Sequence, residues 1–145
     1  MVEKGLNLKH LPKTLLSKSG IVDTTSSLST TIVGFYFSAH WCGPCRQFTP
    51  QLAKVYNEWK KAGKSIEVVF ISSDRDQKQF EEYYAEMPWL AVDISEKDCK
   101  SELNTLFSVS GIPTLTIVDK SGNVIEADAM NIEGSAVDEW ISKAK

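Results

Sequence analysis

The chain has 145 residues, of which 42% are hydrophobic, 10% aromatic and 24% charged, with a formal net charge of -3. That is the make-up of a globular chain with one hydrophobic core, and the expectation is a single domain over 1–145. So mild a charge argues against a nucleic-acid or anionic-membrane surface, and no apolar run approaches the roughly 20 residues of a membrane-spanning helix.

In chain order, Thr14 to Leu16 and Ile21 with Val22, on either side of Gly20, suggest a short hairpin. Residues 24–31, rich in Ser and Thr, read as a turn with one helical turn at most. Residues 32–37 are continuously apolar, β-branched and aromatic, as in a strand buried on both faces. From Cys45 the period changes. Phe48, Leu52, Val55, Tyr56 and Trp59 fall at i, i+4, i+7, i+8 and i+11, one stripe of an amphipathic helix, with Pro50 inside it and a kink expected near the preceding turn. Residues 66–71 repeat the buried-strand pattern. Asp74 with Gln77 offers a helix cap ahead of Phe80, Tyr83, Tyr84 and Met87. Ser95 with Asp98 reads as a capping box for a helix carrying Cys99, Leu103, Leu106 and Phe107. Residues 114–118 and 124–127 flank the turn Asp119-Lys120-Ser121-Gly122 as a hairpin, and Ser135 with Asp138 caps a last helix facing Val137, Trp140 and Ile141 inward. The order predicts an α/β fold, a central mixed β-sheet with helices on both faces.

Three cysteines stand at 42, 45 and 99. The residues after Met1 show no apolar stretch with a cleavage site, Val2 is not a myristoylation glycine and the C-terminus has no prenylation cysteine, so a cytoplasmic protein is expected. There, a close cysteine pair reads as catalytic or metal-binding rather than structural. In Trp41-Cys42-Gly43-Pro44-Cys45 the pair lies between a strand and a helix start. Cys42 then precedes the first helical turn, where unpaired N–H groups and the positive end of the helix dipole favour a thiolate. Pro44 suits that turn because its missing N–H has no intrahelical partner, and Gly43 leaves one side of the sulfur open. Half of a zinc site is the competing reading. A structural site needs four ligands, and only Cys99, His10 and His40 remain, without pairing spacing; the count favours redox chemistry and no metal.

The segment from Phe37 to Arg46, Pro50 eight residues after Cys42, and Gly111-Ile112-Pro113-Thr114 together resemble the thioredoxin superfamily. Phe35-Tyr36-Phe37-Ser38-Ala39, Phe48-Thr49-Pro50-Gln51-Leu52 and Met87-Pro88-Trp89-Leu90-Ala91-Val92 are similar to its tryparedoxin and nucleoredoxin group, over roughly residues 11–140. The resemblance implies a thioredoxin-like fold, a cis Pro113 facing the cysteines, and Ile112 pairing its backbone with a bound substrate. It implies a dithiol–disulfide oxidoreductase with Cys42 as nucleophile and Cys45 as resolving thiol. Trp41, Gly43, Pro44, Ile112 and Pro113 would form the substrate platform, with Arg46 and His40 as electrostatic support. Implied partners are disulfide-containing proteins, a peroxidase among them, with a reductase or low-molecular-weight dithiol as electron donor and no bound cofactor. The alternative is a redox-sensing binding module whose cysteine state switches a protein partner. Two departures stand out. Tyr36 occupies the place of the buried Asp that serves the second cysteine in thioredoxins. Arg75 and Ala127-Asp128-Ala129 replace an acidic and a basic residue that tryparedoxins use toward trypanothione.

Several residues admit two readings. His40 either assists proton transfer or is a solvated loop residue. Cys99 is a regulatory thiol or, on a face shared with Leu103 and Leu106, a buried inert one, which is the better reading. Asp74, Arg75 and Asp76 either rim the site or are a helix cap with solvated charges, the better reading for Asp76. Trp59 and Trp140 sit on core stripes, and Trp89 reads as packing.

Overall fold

The computed structural model describes residues 11–119, 123–129, 132 and 135–144. His10 and residues 120–122 of the expected turn lie outside them. Seven strands form one mixed sheet among the described residues: β1 (Thr14–Ser17), β2 (Gly20–Asp23), β3 (Ile32–Ser38), β4 (Ile66–Ser72), β5 (Leu90–Ala91), β6 (Thr114–Asp119) and β7 (Val124–Glu126). Their spatial order is β2-β1-β5-β4-β3-β6-β7. β3 pairs parallel with β4, and β4 with β5; the β3–β6, β6–β7, β1–β2 and β1–β5 pairs are antiparallel.

The two apolar runs are continuous because β3 and β4 lie inside the sheet with both faces covered. Alternation then sorts their side chains. Ile32, Tyr36, Ile66, Val68 and Phe70 join Leu115 and Ile117 of β6 on one face. Against that face pack helices α2 (Gly43–Lys61), α3 (Gln77–Tyr84) and α5 (Ala136–Lys143). Val33, Phe35, Phe37, Val69 and Ile71 point the other way, toward Cys99 and Leu103 of α4 (Lys97–Leu106) and Phe107 just beyond it. Gly34 lies opposite Ile117 and Leu115, where a Cβ would come within 3.1 Å of the Ile117 side chain. A one-turn helix, α1 (Thr24–Ser27), bridges β2 to β3, its N-cap Asp23 accepting the Ser26 N–H.

The α2 stripe is buried as the spacing predicts, and Trp59 meets Trp140 of α5 edge to face at 5.7 Å. Trp89 is buried between Tyr36 and Tyr56, in T-shaped contact with both.

Three helix starts differ from expectation. The Asp74–Gln77 cap does not form, because the Asp74 carboxylate is engaged elsewhere; Asp76 caps α3 by accepting the Gln79 N–H at 2.8 Å, in line with its helix-cap reading. The Ser95–Asp98 box does not form: Ser95 gives its N–H and hydroxyl to Asp93, and α4 starts behind Glu96 with no side-chain cap bond. Ser135 holds the N-cap position of α5, also without a side-chain bond. The two-residue β5 was not foreseen, since two residues after Pro88 carry no period to read. α3 stops at Tyr84, so Met87 reaches the core from the following turn.

Candidate active site

Parallel pairing brings the C-terminal ends of β3 and β4 side by side, with Ser38 opposite Ser72. Both following loops therefore open at one edge of the sheet, the usual location of sites in open α/β sheets. From β3 the chain turns through Ala39, His40 and Trp41 into α2, and the turn closes by a Cys42 N–H bond to the Ala39 carbonyl at 3.2 Å. Cys42 is the N-cap of α2, in extended conformation, and its sulfur accepts the Cys45 N–H at 3.3 Å. A thiolate there meets a real donor as well as the helix dipole. The two Cα atoms are 5.2 Å apart and the sulfurs lie close to disulfide distance.

The two cysteines differ in depth of burial. Cys42 is 7% exposed and Cys45 0%. Gly43 keeps that side open, since a Cβ would meet nothing within 4 Å. Pro44 is exposed in the first turn of α2. Across from the sulfurs, the Ile112–Pro113 bond is cis. The Ile112 side chain packs on Ala39, Cys42 and Cys45, and its carbonyl is 3.9 Å from the Cys42 sulfur. Trp41 is 51% exposed, its indole N–H donating to the Ser73 carbonyl at 3.2 Å. Beside it runs a shallow groove of 240 Å³ lined by Trp41, Ser73, Asn104, Ser110 and Ile112. Arg46 follows Cys45 on the exposed face of α2, and His40 is half-buried with its ring edge-on to Tyr83 at 5.8 Å.

Beneath the cysteines lies a polar network that the sequence reading missed. The Thr49 hydroxyl donates to the Cys45 carbonyl at 2.9 Å and sits 2.7 Å from the Tyr36 hydroxyl. It also meets the Tyr83 hydroxyl, which is 2.7 Å from that of Ser38. These four buried hydroxyls join β3, α2 and α3 directly below the reactive turn. Burial, and then the neighbouring Tyr83 hydroxyl, pushes the Tyr36 phenol well above its ordinary pKa, so it is a neutral hydrogen-bonding group. The available signal was the polar Thr49 and Tyr83 hydroxyls on otherwise apolar helix stripes. Of the two readings of Asp74, the rim of the site is the one the structure favours, through a bond to the reactive turn that the sequence did not show. Asp74 is buried, and one carboxylate oxygen accepts the His40 N–H at 2.7 Å.

Cys99 lies apart, buried against the other face of the sheet. Burial, followed by the charges of Glu96 and Glu102, pushes its thiol up to about 12. Among the described residues no group of three or more His, Cys, Asp or Glu side chains is placed to hold a metal ion. No described helix is long and apolar enough to cross a membrane.

The fold and the dithiol at a helix N-terminus, opposite a cis-proline, define a thioredoxin-like oxidoreductase domain. The Thioredoxin-like family model matches residues 30–124. Nucleoredoxin of Mus musculus is 46% identical over 111 residues, covering 77% of this chain and 26% of that protein. Tryparedoxin from Trypanosoma brucei superposes with a TM-score of 0.78 at 45% identity, covering 84% of this chain and 85% of the other. A tryparedoxin II complexed with glutathionylspermidine superposes with a TM-score of 0.73 at 36% identity, covering 91% and 87%. The chain belongs to the thioredoxin-like family, in its tryparedoxin and nucleoredoxin group. It spans about a quarter of the length of the nucleoredoxins it matches.

Proposed function

We propose that the protein reduces disulfides of other proteins, with Cys42 as nucleophile and Cys45 as resolving thiol. The observation that carries this is the asymmetry of the pair: Cys42 stands at the α2 N-cap with its sulfur accepting the Cys45 N–H and keeps some exposure, whereas Cys45 is fully enclosed. The Cys42 thiolate attacks one sulfur of the target disulfide, expelling the other as a thiolate that takes up a proton. Cys45 then gives up its proton and attacks the Cys42 sulfur, breaking the mixed disulfide and releasing the second target thiol. The chain is left oxidised by two electrons, which a reductase or low-molecular-weight dithiol restores; no bound cofactor is needed.

Trp41, Gly43, Pro44, Ile112 and Pro113 form the platform on which an extended target chain lies, with the Ile112 backbone as its pairing edge. Arg46 supplies positive potential near the thiolate, and the half-buried His40 would add to it only when protonated. The working compartment is the cytoplasm, where the dithiol is kept reduced, and a peroxidase is a fitting target. For the donor, charge is informative. Arg75 is exposed after the Asp74 turn, and Ala127-Asp128 lie beyond β7. A polyamine-bearing thiol such as the glutathionylspermidine seen with tryparedoxin II would meet a different charge pattern here, so a reductase or a donor without a polyamine is favoured.

The test is insulin-disulfide reduction by dithiothreitol. The native chain should accelerate it, Cys42→Ser and Cys45→Ser should not, and Cys45→Ser should accumulate a mixed disulfide through Cys42. No acceleration by the native chain would overturn general reductase activity and leave a redox-switched binding module in its place.

A further inference from the structure

Resting on the reductase reading, we propose that Asp74 is a positioning residue that hangs the reactive turn from the end of β4 and thereby sets Trp41 for the target protein. Ser73 extends the β3–β4 ladder by one bond, its N–H donating to the Ser38 carbonyl at 2.9 Å. Two further bonds cross from this loop to the reactive turn. The Asp74 carboxylate accepts the His40 N–H at 2.7 Å, and the Ser73 carbonyl accepts the Trp41 indole N–H at 3.2 Å.

The carboxylate is itself fixed. Its second oxygen accepts the Ser72 hydroxyl at 2.8 Å, and the Asp74 N–H donates to that same hydroxyl oxygen at 2.9 Å. Asp74 is 5% exposed, and its attraction acts on Lys100 of α4, partly offsetting the lowering of that ammonium's pKa by burial. A carboxylate is costly to bury, whereas a helix cap at this point needs no burial, and Asp76 already provides that cap. What burial adds is a short, charge-assisted bond to a backbone N–H next to Trp41. Apart from Asp74, the turn is held by its own Cys42 N–H bond to the Ala39 carbonyl and by the Trp41 indole bond to Ser73. Asp74 makes no hydrogen bond to either sulfur. It acts on where the platform stands, not on the thiol chemistry.

Three quantities separate this role from general support of the fold: KM and kcat for insulin, the rate of iodoacetamide alkylation of Cys42, and acrylamide quenching of tryptophan fluorescence. Trp41 dominates the last because Trp59, Trp89 and Trp140 are buried. Asp74→Ala should raise KM by about tenfold, the scale of one lost charge-assisted hydrogen bond, with a smaller change in kcat. It should leave the alkylation rate within about twofold and increase quenching, the increase vanishing on a Trp41→Phe background. Asp74→Asn, which retains an acceptor for the His40 N–H, should restore most of KM. A native KM and native quenching in Asp74→Ala would overturn the proposal. So would an alkylation rate that changes in step with KM, or an Asp74→Asn as impaired as Asp74→Ala. If Asp74→Ala does not fold, Ser72→Ala decides through the same readouts: an intermediate KM supports the role and a native one overturns it. If the native chain reduces no insulin, the reductase reading fails, while the quenching comparison still decides the positioning role.

Discussion

Cys42 and Cys99 are the same side chain in opposite surroundings. At the α2 N-cap the sulfur receives the Cys45 N–H and the helix dipole, both of which favour the anion. Cys99 sits in a hydrocarbon cluster with Glu96 and Glu102 nearby, and all three influences favour the neutral thiol. Reduced protein treated briefly with iodoacetamide at pH 8 should therefore carry one label, on Cys42, with Cys99 labelled only after denaturation. Peptide mass spectrometry checks this, and comparable labelling of Cys99 in the folded chain would contradict it. The same contrast explains the legibility of these residues. A motif at a strand–helix junction announces a reactive sulfur, whereas the sequence leaves Asp74 between site rim and helix cap, because its partner is a backbone N–H 34 residues away.

At the scale of elements, α3 is tied to the reactive turn through Tyr83. Its ring packs on Phe70 and carries the edge of His40, and its hydroxyl joins Ser38 of β3 to Thr49 of α2. Tyr83→Phe keeps the ring and removes the bridge, leaving two buried hydroxyls short of a partner. The expected cost is about 1–3 kcal/mol of stability, read as a lower urea midpoint with unchanged slope. A midpoint equal to that of the native chain would mean that the network rearranges around the loss. The caps show how local signals are overruled at this scale. Asp74 with Gln77 reads as a helix start, yet the carboxylate is taken by β3's loop and Asp76 caps instead. Ser95 is likewise captured by Asp93, two residues before it. A polar side chain near a helix start goes to the best donor within reach, and sequence spacing does not rank donors from other elements.

For the whole molecule, several buried groups keep their protons in the folded state. Tyr36, Tyr56 and Tyr84 are all raised above 10.0 chiefly by burial, and Cys99 above 9.0 for the same first reason. A group raised on folding contributes stability that is present below its unfolded pKa and is lost as pH rises toward the folded one. The unfolded chain releases these protons from about pH 9 to 10 upward while the native one holds them. Urea midpoints measured from pH 7 to 11 should stay level up to about pH 9 and then decline. A flat profile through pH 11 would show that these groups ionise without unfolding the chain.

The amino-acid sequence by itself determined the strands 32–37 and 66–71, the α2 stripe, the reactive pair and the proline loop at 112–113. Each is a local signal: a period, a run or a motif whose meaning depends on nearest neighbours along the chain. Tertiary structure alone decided how deeply Cys42 and Cys45 are buried, that β5 completes the sheet beside β1, and that Ser38, Thr49, Tyr36 and Tyr83 share one network. It also decided that Asp74 holds His40 rather than a helix. The physical reason is common to all four. Depth of burial, a two-residue strand, a hydroxyl chain and a buried carboxylate acquire their energies only when parallel strands and crossing helices bring distant residues within hydrogen-bond reach.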